Sequence, residues 1–523
     1  MKEEQGTTQE EGTDEEAVLG FLEDVWGAGV KVEIIETHAA RVLLAGDRAL
    51  KIKKRVRFPF LDFTTLAARQ QALARELELN KPHAPEIYVG LHTITRESDG
   101  RLALDGAGIA IDLALEMRRF DQRDILVEVA ARGAFDASLA RALAEMVAGY
   151  HQAVRAVYDA DAVKLVANAA HPLLEALALA GDRLDQGEVA RLRAGLEAAM
   201  SRLAPLLEAR ARGGAVRRCH GDLHLGNIVL IGHRPVAFDA LEFDEALATI
   251  DVLYDLAFLL MDLIKRGQSV AANLVFNGYL RLSPLGNELE GLAALPLFLS
   301  LRAAVRAVVA LARANQVSAD RPAEELLTRS LVALASSFIA PAPPRLVAIG
   351  GFSGTGKSTI AASLAPAIGS APGALHIRTD VVRKDLFGVG ETEKLSKDHY
   401  SEAVSEEVYR IVLNKAVRAL RAGHSVVVDA VFSKLHERQA CEAAALEAGC
   451  PFAGVWLDAP ADVLLERVKQ RKGDASDADV SVVTTQLAYK TGPIAWVRIN
   501  TRGNKEENVT AVTARLSALV AVS

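Results

Sequence analysis

His220-Gly-Asp222-Leu-His-Leu-Gly-Asn227, followed by Val236-Ala-Phe-Asp239, sets an aspartate and an asparagine five positions apart, with a second aspartate ending the next apolar run. These are hard oxygen donors at a spacing that suits Mg²⁺ and a reacting hydroxyl. Asp222 is placed to orient a hydroxyl and accept its proton, and Asn227 and Asp239 to ligate the metal. A second stretch has a different design. Gly351-Phe-Ser-Gly354-Thr355-Gly356-Lys357-Ser358 fits G-x-x-x-x-G-K-[ST], directly after apolar Leu346–Ile349 and before the helix-like run Thr359–Ile368. In that setting the backbone of Gly351, Gly354, Thr355 and Gly356 and the helix start at Thr359 cradle phosphates, Lys357 reaches the β/γ-phosphates, and Ser358 holds Mg²⁺. Two Mg²⁺-dependent ATP sites of unrelated construction are therefore expected in one chain.

The first stretch resembles the H-R-D-x-x-x-x-N catalytic loop of protein kinases. Gly221 in place of the arginine, together with His224, makes it similar to the aminoglycoside phosphotransferase and choline kinase group. That resemblance implies a β-rich lobe ahead of the loop and a helical lobe around it. The preceding sequence agrees: strands are expected at Val32–Glu36, Ala40–Ala45 and Arg48–Lys53, a helix at about 64–80, and further strands near 87–92 and 109–117. A kinase-like lobe needs a strand lysine for the α/β-phosphates and a helix glutamate to hold it. Lys51 and Lys53 share one strand face, and Lys51 is favoured. Glu76 is the glutamate, since Glu78 points elsewhere around the helix. Met117 lies where the last strand of the lobe would offer backbone groups to adenine. Glu242, Asp244 and Glu245 could receive amines, but loop or capping roles are favoured; Asp251 and Asp255 read as braces.

Downstream, Ala340-Pro-Ala-Pro-Pro344 stops a helix. The domain reading is a disordered acidic tail at 1–16, a kinase-like domain at 17–339, a linker at 340–345 and a P-loop domain at 346–523. Strands at about 374–378, 425–429 and 453–457 alternate with helices, which predicts a parallel α/β sheet. Thr379-Asp380-Val-Val-Arg383 resembles the D-x-x-R of polynucleotide kinases, chloramphenicol phosphotransferase and zeta-type toxins. This implies that Asp380 activates the acceptor hydroxyl and Arg383 holds substrate. Asp429 ends a Walker-B-like strand and is expected to contact Mg²⁺ through water. The run Arg467–Asp477 resembles a kinase lid, with Arg471 neutralising transition-state charge and Arg467 second. Arg57-Phe-Pro-Phe-Leu-Asp-Phe63 and Glu116-Met-Arg-Arg-Phe-Asp121 also resemble a family in which a phosphotransferase-like domain precedes a P-loop kinase domain.

Composition bounds the partners. Half of the 523 residues are apolar and 24% charged, the profile of a soluble globular chain. Of the formal net charge of -7, residues 1–16 carry -6, with seven acids against Lys2. The remainder is nearly neutral, and residues 345–523 hold 22 Lys/Arg against 20 Asp/Glu. A basic groove for nucleic acid is not indicated. Cys219, Cys441 and Cys450 show neither metal nor disulfide spacing. The apolar stretch 250–264 contains three aspartates, and no secretory signal core opens the chain. The expectation is a cytoplasmic bifunctional phosphotransferase using ATP and Mg²⁺, acting on hydroxyls of small molecules and needing no membrane. An ATP-switch protein and an RNA-end kinase are the alternatives. No feature addresses oligomeric state.

Overall fold

The computed structural model describes residues 4–27, 29–37, 39–58, 61–283, 285, 288–316, 320–470 and 475–520. They form two compact units, Met1–Val157 with Arg217–Asp255, and Tyr158–Val216 with Leu256–Ser523.

The first unit opens with the helix Glu4–Gly27, so the acidic stretch expected to be disordered is helical from Glu4. Glutamate is a good helix former, and carboxylates near a helix N-terminus complement its dipole. Val18, Leu22 and Trp26 recur every fourth residue and pack on Leu43, Leu50 and Ile52 of the sheet. That sheet comprises β1 (Glu33–Glu36), β2 (Ala40–Ala45), β3 (Arg48–Lys53), β6 (Tyr88–Arg96), β7 (Leu102–Leu104) and β8 (Ile109–Arg118), with the short pair β4 (Arg57–Phe58) and β5 (Leu61–Asp62) outside it. The strands are antiparallel in the order β1-β2-β3-β8-β6-β7. β3 thus lies inside the sheet, and Lys51 stands opposite Leu115 of β8. The helix Leu66–Asn80 is capped by Thr65, whose hydroxyl accepts the Ala68 amide. Its buried positions are Arg69, Ala72, Leu73, Glu76 and Asn80, a 3.6-residue stripe that turns Glu76 inward. The loop region follows with β9 (Val216–Arg218), the hairpin β10 (Ile228–Ile231) and β11 (Arg234–Ala237), and β12 (Thr249–Asp251) paired with β9.

In the second unit, helices before the proline run and the sheet after it belong together. Among the described residues, two of its helices, Ala162–Leu179 and Glu288–Arg313, are long and apolar enough to cross a membrane by length and composition alone; 67% of the apolar window of the second is buried here. The five-stranded sheet is parallel, in the order β14-β15-β13-β16-β17, with β13 at Leu346–Gly351, β14 at Leu375–Arg378, β15 at Val426–Asp429, β16 at Phe452–Asp458 and β17 at Val497–Asn500. Val347, Ile349, Val427, Val455 and Leu457 make its core with Ile360 and Leu364 of the helix Lys357–Leu364. The proline run lies within this unit: the Ala342 amide donates to Ser370 Oγ at 2.7 Å. Ahead of that run, the helix Ser269–Leu282 meets the outermost strand. Asn277 Oδ1 accepts the His376 amide of β14 at 2.7 Å. Asn273 Nδ2 donates to the carbonyls of Pro372 and Ala374 at 3.1 and 3.0 Å. Side-chain amides here satisfy backbone groups that no sixth strand covers.

Candidate active sites

β3 and the helix Leu66–Asn80 bring the expected lysine and glutamate together. Lys51 Nζ donates to Glu76 Oε1 at 2.7 Å and to Asp239 Oδ1 at 2.8 Å. Glu78, by contrast, pairs with Arg75 on the outer face. Burial opposes the Lys51 charge, but Asp239 and Glu76 outweigh it and hold its pKa well above the lysine range. Burial likewise opposes the Asp239 carboxylate, and Lys51 and Lys53 bring its pKa below the usual value. Glu76 is fully buried and also accepts from Lys53 at 2.9 Å. Glu76→Ala would leave Lys51 and Lys53 with one carboxylate partner each, Asp239 and Glu242, in place of two, so it should cost about 3 kcal/mol of stability. Chemical denaturation measures this.

The catalytic loop is held from behind. Gly221 has φ 84°, strained for any other residue, and a Cβ there would crowd Leu241 at 3.0 Å and Ala248 at 3.1 Å. Asp255 accepts the amides of His220 and Gly221 at 3.2 and 2.9 Å, and His151 Nε2 lies 3.1 Å from it. His220 Nδ1 accepts the Asp222 amide, so Nε2 carries the proton and donates to the Phe238 carbonyl at 3.0 Å. Burial lowers the His220 pKa and keeps this neutral tautomer. Asn227 Nδ2 donates to the Asp222 carbonyl at 3.0 Å and to its Oδ2 at 2.8 Å. That leaves the amide oxygen of Asn227 as its ligating atom. With Asp222 and Asp239 both partly exposed, the donor set fits Mg²⁺ beside Lys51. Of the acidic cluster, Asp244 caps a short helix, Glu245 pairs with Arg75 and Arg218, and Glu242 pairs with Lys53. Asp251 caps the next helix through the Leu253 amide. Met117 lies near the end of β8, where the Arg118 and Arg119 amides are taken by the carbonyls of Ile87 and Asp47.

In the second unit, the P-loop leaves β13 with Gly351, Gly354 and Gly356 at φ 139°, 89° and 87°. A Cβ on Gly351 or Gly354 would come within 2.5 Å of the Leu457 carbonyl or 2.7 Å of the Leu464 carbonyl. The loop therefore closes against β16 and the helix Ala461–Gln470, with a wrap that only glycine permits, and fits a phosphate. Thr355 Oγ1 and Lys357 Nζ donate to the Phe352 carbonyl at 2.8 and 3.1 Å. Ser358 and Thr359 occupy the first turn of the helix Lys357–Leu364. Asp380 and Asp429 share the field of Lys357. Burial and then Asp429 raise the Asp380 pKa, with Lys357 opposing. Burial works against the Asp429 carboxylate too, but His376, Lys357 and Arg378 take its pKa down to about 2.

Arg383 donates to the His399 carbonyl at 2.8 Å and lies over the Tyr400 ring at 4.7 Å. Arg467 is engaged by backbone, donating to the carbonyls of Thr501 and Gly503 at 2.8 and 3.0 Å and approaching that of Gly354 at 3.5 Å. It ties the P-loop to the segment after β17. Arg471, the lid cation expected from the sequence, lies outside the described residues.

Several supporting residues are not named by either motif. Tyr88 Oη accepts the Asp239 amide and Asn80 Oδ1 the Ala240 amide. Asn80 follows Glu76 by one helical turn, a signal in the sequence that identifies its face. Asp477 joins Lys384, Tyr400 and the Leu395 amide at 2.9, 2.7 and 3.0 Å. Gln486 Oε1 accepts the P-loop amide of Ser353 at 2.7 Å.

Residues 38–295 match the phosphotransferase enzyme family and residues 346–493 an AAA domain family. With the kinase-type loop in one unit and the P-loop sheet in the other, the chain is an ATP-binding enzyme that transfers phosphate to hydroxyl groups. The uncharacterized protein Rv2004c of Mycobacterium tuberculosis is 31% identical over 486 residues, 91% of this chain and 94% of the relative. The uncharacterized protein Mb2027c of Mycobacterium bovis matches equally. The chain belongs to the family of these proteins, in which a phosphotransferase domain is followed by a P-loop kinase-type domain. Among solved structures, a choline/ethanolamine kinase family protein from Mesorhizobium loti is 15% identical, covering 62% of this chain and 98% of its own, with TM-score 0.37. A sugar kinase from Janibacter sp. HTCC2649 is 21% identical, covering 34% and 95%, with TM-score 0.26.

Proposed function

We propose that the chain is a bifunctional phosphotransferase with two separate Mg·ATP sites, each transferring the γ-phosphoryl group to a hydroxyl of a small molecule. The observation that carries this reading is that each unit holds its own lysine, metal-type ligands and a carboxylate for the acceptor. In the first unit, Lys51 faces the phosphates, Asn227 and Asp239 hold Mg²⁺, and Asp222 orients the hydroxyl and takes its proton. In the second, Lys357 and the loop amides hold phosphates, Ser358 and Asp429 serve Mg²⁺, and Asp380 takes the acceptor proton. Arg383 sits beside Asp380 as the acceptor-side cation. Bound nucleotide supplies the phosphoryl group, and the protein supplies positioning and charge. A cytoplasmic location suits both substrates.

Calorimetry with Mg·ATP should find close to two equivalents per chain. Lys357→Ala should remove one, and Lys51→Ala should weaken the other. One shared site, lost with either change, contradicts the proposal. A γ-labelled ATP screen over metabolites, aminoglycosides and oligonucleotides identifies acceptors. Labelled oligonucleotide would favour an RNA-end kinase, and binding without transfer at one site an ATP switch. The pH profile is a further check. Asp380 must be ionised to accept a proton, and its pKa is raised, so P-loop transfer should fall with decreasing pH at a higher value than an ordinary aspartate gives. Asp429, at about 2, stays ionised throughout. The kcat/KM profile of the Asp222→Ala chain reads this directly.

A further inference from the structure

Two lysines rather than one, Lys53 buried and Lys51 mostly so, join β3 to the loop that carries Asp239. Lys51 pairs with Asp239 at 2.8 Å and Lys53 with Glu242 at 2.6 Å, while Glu76 accepts from both lysines at 2.7 and 2.9 Å. The four charges form two rungs with a common support, because residues 51 and 53 lie on one face of the strand. The rungs differ in exposure. The Asp239 side chain is 44% exposed, whereas Lys53 is 3% and Glu242 10% exposed. Lys53 also lies 5.5 Å from the Phe63 ring, enclosed on its apolar side. If this unit takes Mg·ATP as proposed, Lys51 would turn to phosphate and Asp239 to metal, and the first rung would exchange its partners. The second rung has no substrate to serve and remains closed.

We propose that the Lys53–Glu242 pair is a permanent latch that keeps the metal-binding loop seated on the small sheet while the Lys51–Asp239 pair opens to accept Mg·ATP. Lys53 and Glu242 are thus positioning residues. The proposal rests on the reading of this unit as a nucleotide site. The latch fixes the backbone of residues 239–242 at its far end, complementing Tyr88 and Asn80, which hold the amides of Asp239 and Ala240. Removing one partner leaves a buried charge and frees the loop. The loss should then appear in the metal-dependent part of nucleotide binding.

The test uses the full chain carrying Lys357→Ala, so that only the first unit binds nucleotide. Glu242→Gln is expected to weaken Mg·ATP binding roughly 10- to 100-fold, as outer-sphere supports of metal ligands do. Binding of ATP in EDTA should stay within about two-fold. Lys53→Met should behave the same way, and the double variant should be no worse than either single one, because both remove one pair. Without any nucleotide, the amides of 240–242 should exchange hydrogen faster in each variant. Unchanged exchange and Mg·ATP affinity in Glu242→Gln would overturn the latch. So would a Lys53→Met chain that loses ATP equally with and without Mg²⁺, since Lys53 would then be a phosphate ligand. If Lys53→Met does not fold, Glu242→Gln alone decides. If the chain with both residues intact binds no Mg·ATP, the nucleotide reading of the unit fails, and hydrogen exchange in the ligand-free chain still decides the latch.

Discussion

Asp222→Ala should lower phosphoryl transfer at the first site by about three orders of magnitude while leaving ATP binding nearly intact. In the proposed reaction this carboxylate would orient the hydroxyl and accept its proton, a contribution of roughly 10²- to 10⁴-fold. The nucleotide-facing groups survive the change. Lys51 keeps Glu76 and Asp239, and Asn227 keeps the main-chain carbonyl of residue 222 as a partner for its amide nitrogen. The measurement is γ-labelled transfer in the Lys357→Ala background. Equal rates with and without the Asp222 carboxylate would contradict the role.

Asp380→Asn should have a comparable effect at the second site. It preserves shape and most packing but removes the proton acceptor, so transfer should drop by about two to four orders of magnitude. The substitution also removes the like charge beside Asp429, so Mg·ATP affinity should hold or rise slightly. In the Asp222→Ala chain the remaining transfer reports this site alone. Transfer that survives at the original rate would require another group to take the proton.

Both motif-bearing loops are legible in the sequence because each is continuous, with its residue types at fixed short spacings. Lys51 and Glu76 are legible one step further away, through the two-residue period of a strand and the 3.6-residue period of a helix. Residues that act through tertiary contact leave no such trace. Gln486 meets Ser353 across 133 positions and Asp477 meets Lys384 across 93, whereas Asp255, which reads as a brace, does reach the His220 and Gly221 amides. The acidic run at 242–245 reads as one cluster, yet its members diverge to Lys53, a helix cap and two arginines, since neighbours in a loop point in different directions. Arg467, expected second to Arg471 as a transition-state cation, has its guanidinium among three backbone carbonyls, contacts that its place in the sequence does not announce. The composition break at the prolines is real, while the packing continues across it.

That continuity limits how far the two halves of the gene product can be treated as interchangeable modules. A fragment cut at residue 345 would keep every P-loop residue and still lose Asn273 and Asn277, leaving the outer backbone of β14 bare. A bare strand edge recruits other strands, so this fragment should self-associate more strongly by light scattering than the full chain does. Transplanting the ATP-binding half into another protein would therefore require carrying along a helix encoded well upstream of the visible seam.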